Sequence, residues 1–388
     1  MLHFRLNAVL RSNKIHFFFP RFLYFILLAA CLANAGTAAA QSDTLKIDSL
    51  FHKKAKRKLF VAPVIGYSPE TRLFFGVGGV YYLPPSKKYP ETNASVIKLT
   101  AEYTLNHQIE SNLNGESFFR NNLFKGNYSI SYYEFPDYFF GIGNTTIDSN
   151  KERFDNDFFN ALINVQRRFY PSFYAGIKTF IEHTHIYDID SGGIFYTQDI
   201  PGEAGGWNTG LGLWLTYDTR DNIYFPMKGS YLDVAAVPHE SWLGSNYNYM
   251  DYTLEYSQFK RIMKDDALAV NFYGKFLPGD PPFNRMAELG GDTHMRGNYE
   301  GRFRDKNYLT LQGEYRITFL KYLGITVFGG LGEVADRFSN FSTEGLKYSI
   351  GAGGRLFIVP EDKVSIRIDY GFGSDGMQGL YVSFREAF

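Results

Sequence analysis

Cysteine is nearly absent: Cys31 is the single one in 388 residues, and it falls in a segment that reads as an export signal. Arg5, Arg11, Lys14 and Arg21 precede an apolar run from Phe22 to Ala33, and small residues follow at Ala38-Ala39-Ala40. That order of charge, apolar stretch and small residues is the order of a cleaved secretory leader, so residues 1–40 are expected to be removed before Gln41. A competing reading takes Leu28-Ala29-Ala30-Cys31 as a lipoprotein box that would leave Cys31 as a lipidated N-terminus. Cleavage after Ala40 leaves an exported chain with no thiol, which excludes disulfides and thiolate metal sites as supports of the fold.

Net charge is lacking as well. Lys and Arg number 40 and Asp and Glu number 40, with the signs interspersed, so no basic face recommends nucleic acid and no acidic block suggests a solvating tail. Beyond position 41 there is no run of 18 apolar residues, which excludes a helical membrane protein. No nucleophile elbow, phosphate loop or metalloprotease helix motif is present, and no cofactor is expected. His183 and His185 share one strand face, a spacing that could ligate a metal. They share it with Ile177 and Ile181, so they read as interfacial or hydrogen-bonded histidines and no metal is expected. Asp188, Asp190, His239 and Glu240 could imitate the rim site of a barrel enzyme, but they form no demonstrable cluster and the chain reads as a non-enzyme.

Aromatic residues, in contrast, make up 18% of the chain, with 29 Tyr and 37 Phe, and they sit in stretches that alternate. Ile97, Leu99, Ala101, Tyr103 and Leu105 interleave with Lys98, Thr100, Glu102 and Thr104; Leu309, Leu311, Gly313, Tyr315 and Ile317 interleave with Thr310, Gln312, Glu314 and Arg316. A membrane barrel strand shows lipid to one face and lumen to the other, and so must alternate with period two. A soluble β-sandwich alternates too, but it has no use for aromatics near the ends of nearly every strand, where interfacial girdles lie. Sixteen strands are expected, at 59–67, 72–83, 95–106, 108–119, 124–134, 156–169, 173–187, 209–218, 229–237, 247–262, 266–277, 307–319, 323–334, 346–358, 363–373 and 379–388. The even count suits a closed antiparallel barrel. Tight connections (120–123, 170–172, 263–266) alternate with long ones (135–155, 188–208, 238–246, 278–306), so both chain ends are expected on the periplasmic side and 278–306 in an external loop. The expected organisation is a signal peptide (1–40), a short periplasmic segment (41–57) and a transmembrane barrel (58–388) in the outer membrane of a Gram-negative bacterium. The final strand places Leu380, Val382, Phe384 and Phe388 on one face, and an alternating strand that ends on an aromatic resembles the signal read by the barrel-insertion machinery.

Two stretches resemble the bacterial surface antigen family, the BamA/TamA superfamily of outer-membrane assembly and translocation barrels. One is "YDTRDNIYFPMKGSYLDV", 217–234, similar to the family's turn between the eighth and ninth strands through Arg220, Asp221, Phe225, Pro226 and Gly229. Pro226 and Gly229 suit a structural role there. The other is "GGDTHMRGNYEGRFRDKN", 290–307. The superfamily carries an Arg-Gly-aromatic motif on an external loop that folds back into the lumen, where the Arg meets inner-wall acids. The resemblance assigns Arg296 and Gly297 to it, with Asn298 intervening before Tyr299, and extends over Arg302 and Arg304. It makes Glu314 the first acidic partner. The second, an Asp on the thirteenth strand, is replaced by Gly330, which leaves Arg296 to Glu314 alone or with Glu333 or Asp369 as the further partner. It further implies outer-membrane lipid as surroundings, and client polypeptides or lipids delivered through an unidentified periplasmic partner. The segment 41–57 is too short for the family's client-receiving modules, and a passive solute pore and a rim enzyme stand as alternatives.

Overall fold

The computed structural model describes residues 58–69, 71–189, 192–360, 363–384 and 386–388. The expected leader, Cys31, the segment 41–57 and Asp190 lie outside them. Sixteen antiparallel strands close into a barrel: β1 (Lys58–Ser68), β2 (Arg72–Leu83), β3 (Ser95–Thr104), β4 (Ile109–Phe119), β5 (Phe124–Phe139), β6 (Glu152–Tyr170), β7 (Phe173–Tyr187), β8 (Gly206–Asp218), β9 (Gly229–His239), β10 (Tyr249–Arg261), β11 (Asp266–Phe276), β14 (Asn307–Leu320), β15 (Leu323–Ala335), β16 (Lys347–Val359), β17 (Val364–Gly373) and β18 (Gln378–Phe384). Two short strands, β12 (Ala287–Leu289) and β13 (Phe303–Asp305), pair as a ribbon within the β11–β14 connection. Among the described residues no helix is long and apolar enough to cross a membrane.

Burial runs opposite to that of a soluble domain. On β14, Thr310, Gln312, Glu314 and Arg316 are buried while Leu311 is 54% exposed; on β8, Asn208 and Thr216 are buried while Leu213 is 69% exposed. The apolar set meets hydrocarbon and the polar set turns inward, which is the only arrangement in which a strand can satisfy both neighbours.

Strand number and order agree with the sequence reading; several boundaries do not, β8 beginning at Gly206 rather than 209 and β18 ending at Phe384 rather than 388. β5 and β6 run on into the expected loop 135–155 and pair out to Phe139↔Glu152. Pro136 suggests a strand end, since it cannot donate to a ladder. It lies beyond Glu134, the residue where pairing of β5 with β4 ends. There its missing N–H costs no ladder bond, and its carbonyl accepts from Gln108 Nε2 at 3.2 Å.

The seam is the weak point of the cylinder. Among the described residues β1 and β18 share one paired register, Tyr67↔Val382, whereas β1 is paired with β2 from Lys58↔Tyr82 to Ser68↔Arg72.

Candidate functional site

The β11–β14 connection carries the polar segment singled out by the sequence, and its tip lies against β14 and β16–β18. Arg296 is fully buried, and its guanidinium donates to Glu314 of β14 and to Asp369 of β17. It also stacks on Phe328, 3.7 Å from the ring centroid. The planar fork of arginine suits two carboxylates held apart at a fixed angle, and a buried charge without such partners would be prohibitive. The pair belongs to a larger network. Arg316 binds the second oxygen of Glu314 at 2.8 Å, Arg355 bridges Asp369 (2.5 Å) and Glu386 (2.8 Å), and Arg367 reaches Asp292 at 3.0 Å.

Asp369 therefore supplies the second carboxylate, and Glu333 does not. Glu333 accepts from the backbone N–H of Ser342 at 2.9 Å and from Asn144, away from Arg296. The reason lies at Gly330. A Cβ there would come within 3.2 Å of Met295 Sδ, so the position that would hold an acid in the resembled pattern is instead the floor under the fully buried Met295. Asp369 compensates from two strands further along, lying over Gly353, where a Cβ would sit 1.8 Å from its Oδ1.

Backbone contact completes the seat. Gly297 has φ +104°, and a Cβ on it would fall 2.6 Å from the backbone of Phe372. A Cβ on Gly371, facing it, would fall 2.7 Å from the Arg296 carbonyl. Tyr381 of β18 accepts from the Gly297 N–H at 3.1 Å. Asn298, which in the sequence only interrupts the motif, ties the loop tip to the wall. It is fully buried, its amide donates to the Tyr348 carbonyl at 2.9 Å, and its Oδ1 accepts from the Ser374 N–H at 3.0 Å. A short polar side chain between a left-handed glycine and an aromatic was the available signal. Tyr299 points elsewhere, its ring 5.8 Å from Phe140.

Arg302 and Arg304 do not join the Arg296 network. Arg302 lies 4.9 Å from the Phe140 ring and 3.9 Å from Asp148; Arg304 pairs with Glu288 across the ribbon at 3.1 Å. Both belong to a knot of long connections. The Gly143 N–H donates to the Arg304 carbonyl at 2.7 Å, Thr146 to the Arg302 carbonyl at 2.6 Å, and the Phe283 N–H to the Pro201 carbonyl at 2.7 Å. Phe139, Phe154, Phe195 and Phe283 pack beneath them, edge to face except for the stacked pair Phe154–Phe195.

At the other end, the connection 219–228 folds as a structural turn. Arg220 grips Asp218 at 2.7 Å, and Asp221 Oδ1 accepts from the N–H groups of Met227 (2.9 Å) and Lys228 (3.1 Å). Gly229 has φ +101°, and a Cβ would lie 2.2 Å from the Thr219 carbonyl. Phe225 is buried against Phe357, and the Pro226 carbonyl accepts from Arg316 at 3.4 Å, so the turn reaches the edge of the arginine network.

The last residues depart from the expected alternation. Phe384 still pairs with Ile366 through its backbone, but Glu386 is drawn in to Arg355 and Arg316, and the ring of Phe388 lies 5.4 Å from the Arg316 guanidinium. Phe388 thus does not continue the outward face, because two buried arginines outcompete the strand register. His183 sits beside Trp207 (4.7 Å) and His185 beside Asp157 (3.3 Å). His239 is buried on Asn208 and stacked on Tyr249. Among the described residues no group of three metal-ligating side chains assembles.

A closed barrel of sixteen strands with an arginine-bearing connection seated on β14 and β17 can be compared with known proteins. The sequence profile of the Omp85 superfamily domain matches residues 91–384. The chain belongs to the Omp85 superfamily. Members of the superfamily are outer-membrane translocation and assembly barrels that work with partner proteins in a lipid setting. Among solved structures this Omp85 barrel is similar to BamA from Haemophilus ducreyi lacking POTRA domains 1–3, at 12% identity and a TM-score of 0.58, covering 85% of this chain and 70% of that one. It is also similar to CdiB from Acinetobacter baumannii, at 11% identity and TM-score 0.54, covering 84% of this chain and 59% of that one. For CdiB from Escherichia coli the values are 11% and 0.54, with 83% and 62% covered. Identities at this level carry the fold alone, and the chain spans about three fifths of either CdiB. No curated protein matches the sequence.

Proposed function

We propose that this Omp85 barrel assists insertion or translocation of protein or lipid at the outer membrane, with the 277–306 connection folded into the lumen as a plug and the β1–β18 seam as the route. The observation that carries the reading is a contrast within one cylinder. Arg296 is anchored by carboxylates of two non-adjacent strands, which supports a plug held in place near β14–β17. Just beyond β17 in the barrel order, the wall itself is held between β18 and β1 by a single paired register among the described residues. A protein whose centre is fixed and whose side is loose suits passage through the wall better than passage down the axis. The knotted long connections over one mouth argue in the same direction.

The test is to deplete the protein in its native host and to quantify outer-membrane proteins, surface proteins and lipids against the parent strain. Selective loss of a set of proteins or lipids is the expected result, and it names the clients. An unchanged surface together with altered uptake of small solutes would overturn the reading in favour of a passive pore.

A further inference from the structure

Around most of the barrel the inner face is polar. β3 turns Lys98, Thr100 and Glu102 inward, β4 turns Glu110, Asn112 and Asn114 inward, and this continues through Asn160, Asn164 and Gln166 on β6. Over the middle of β1 and β2 the same face carries Ala62, Val64 and Gly66 and then Phe74, Gly76, Gly78 and Val80, with polar side chains on β2 only at its two ends, Arg72 and Tyr82. These are not sealed residues. Ala62 is exposed, and Val64, Phe74 and Val80 are half-buried. The outward face of the same strands is apolar as well, with Val61 64% and Ile65 68% exposed. A strand that is apolar on both faces expects an apolar neighbour on both, and exposed hydrocarbon in a wet lumen is unfavourable by roughly 25 cal/mol per Å².

We propose that this two-strand stripe is a berth for the acyl chain of a membrane lipid that enters from the bilayer through the β1–β18 seam. The inference rests on the transfer reading above and names its cargo class. The seam is the place where bilayer hydrocarbon comes next to the stripe. Its paired register, Tyr67↔Val382, lies at the Ser68 end of β1, whereas Ala62–Gly66 pair with β2 alone among the described residues. Beside the stripe, Lys98, Glu102 and Glu110 offer a polar wall for the headgroup, so the recess is amphipathic in the sense that a lipid is. A polypeptide strand would instead use the free backbone edge of β1 and would leave the inner face of β2 uncovered.

The experiment reconstitutes the full chain in vesicles of phosphatidylethanolamine and phosphatidylglycerol doped with a lipid whose acyl chain bears a diazirine, and maps carbene insertion residue by residue. Annular lipid labels Val61 and Ile65 in any case; the berth adds label at Val64, Phe74 and Val80. In the Val64→Glu/Val80→Glu variant, a charge in the stripe should lower label at Phe74 by roughly tenfold or more while label at Val61 and Ile65 holds. In a Tyr67→Cys/Val382→Cys variant, oxidation to lock the seam should lower inner label without any introduced charge, so a folding defect of the first variant does not decide the matter. Label confined to outward positions, inner label indifferent to both variants, or capture of polypeptide rather than lipid by a photoreactive residue in place of Val64 would each overturn the proposal. An unlabelled stripe with a positive depletion result removes the lipid berth and leaves the transfer reading, whereas a labelled stripe with an unchanged surface does the reverse.

Discussion

Arg296 satisfies carboxylates from two strands that do not touch each other, and this makes it sensitive in a specific way. Replacing it by Ala leaves Glu314 and Asp369 buried with fewer cations, the situation that costs about 3–5 kcal/mol when one partner of a buried pair is removed. The expected outcome is loss of the compact, heat-modifiable form on unboiled gels at a lower temperature than the parent. Arg296→Lys should rescue little, because a point charge cannot span both acids. A charge exchange of Arg296→Glu with Glu314→Arg should restore less than a simple pair would, since the new glutamate still faces Asp369. His294, stacked on Tyr273 at 4.3 Å, is pulled down to about 4, first by burial and then by Arg296, with Asp292 opposing. The docked loop therefore takes up a proton less readily than a released one. Docking is at full strength above about pH 6.5 and weakens as pH falls toward 4. Limited proteolysis within 290–307 should rise over that interval, and His294→Phe should flatten the response.

At the level of elements, the period-two pattern was enough to place sixteen strands, because lipid and lumen impose opposite demands on successive residues. What escaped it has identifiable causes. The extensions of β5 and β6 were hidden by Pro136, whose cost vanishes only when the neighbouring strand has already ended. The ribbon β12–β13 is too short to alternate. Asp369 was one of several acids that could have met Arg296, and only the register of β16 against β17, with Gly353 beneath it, selects it. Asn298 intervenes in the motif without any pattern of its own, and only its bonds to Tyr348 and Ser374 mark it as a clamp. The seat of the loop tip is itself testable: Gly371→Val should push Arg296 and Gly297 off β17 while leaving the strand paired, detected as protease access to the loop in a barrel that still migrates as folded. Gly229→Ala should destabilise the whole barrel, since it forces a Cβ against the Thr219 carbonyl at positive φ.

For the whole molecule, the knot of long connections and the seated loop imply a poor conduit. Planar-bilayer recordings of the purified barrel should show little steady conductance, and replacement of residues 288–304 by a short Gly-Ser linker should open a large one. A parent protein as conductive as the variant would refute the plug.

The placement of Arg296 also imposes a schedule. Every strand that holds it, from Glu314 on β14 to Tyr381 on β18, is synthesised after it. The loop therefore stays unseated until the final strands arrive, and β18, whose Tyr381 accepts from the Gly297 N–H, completes its seat. A lesion in the last strand leaves a charged loop with nowhere to settle.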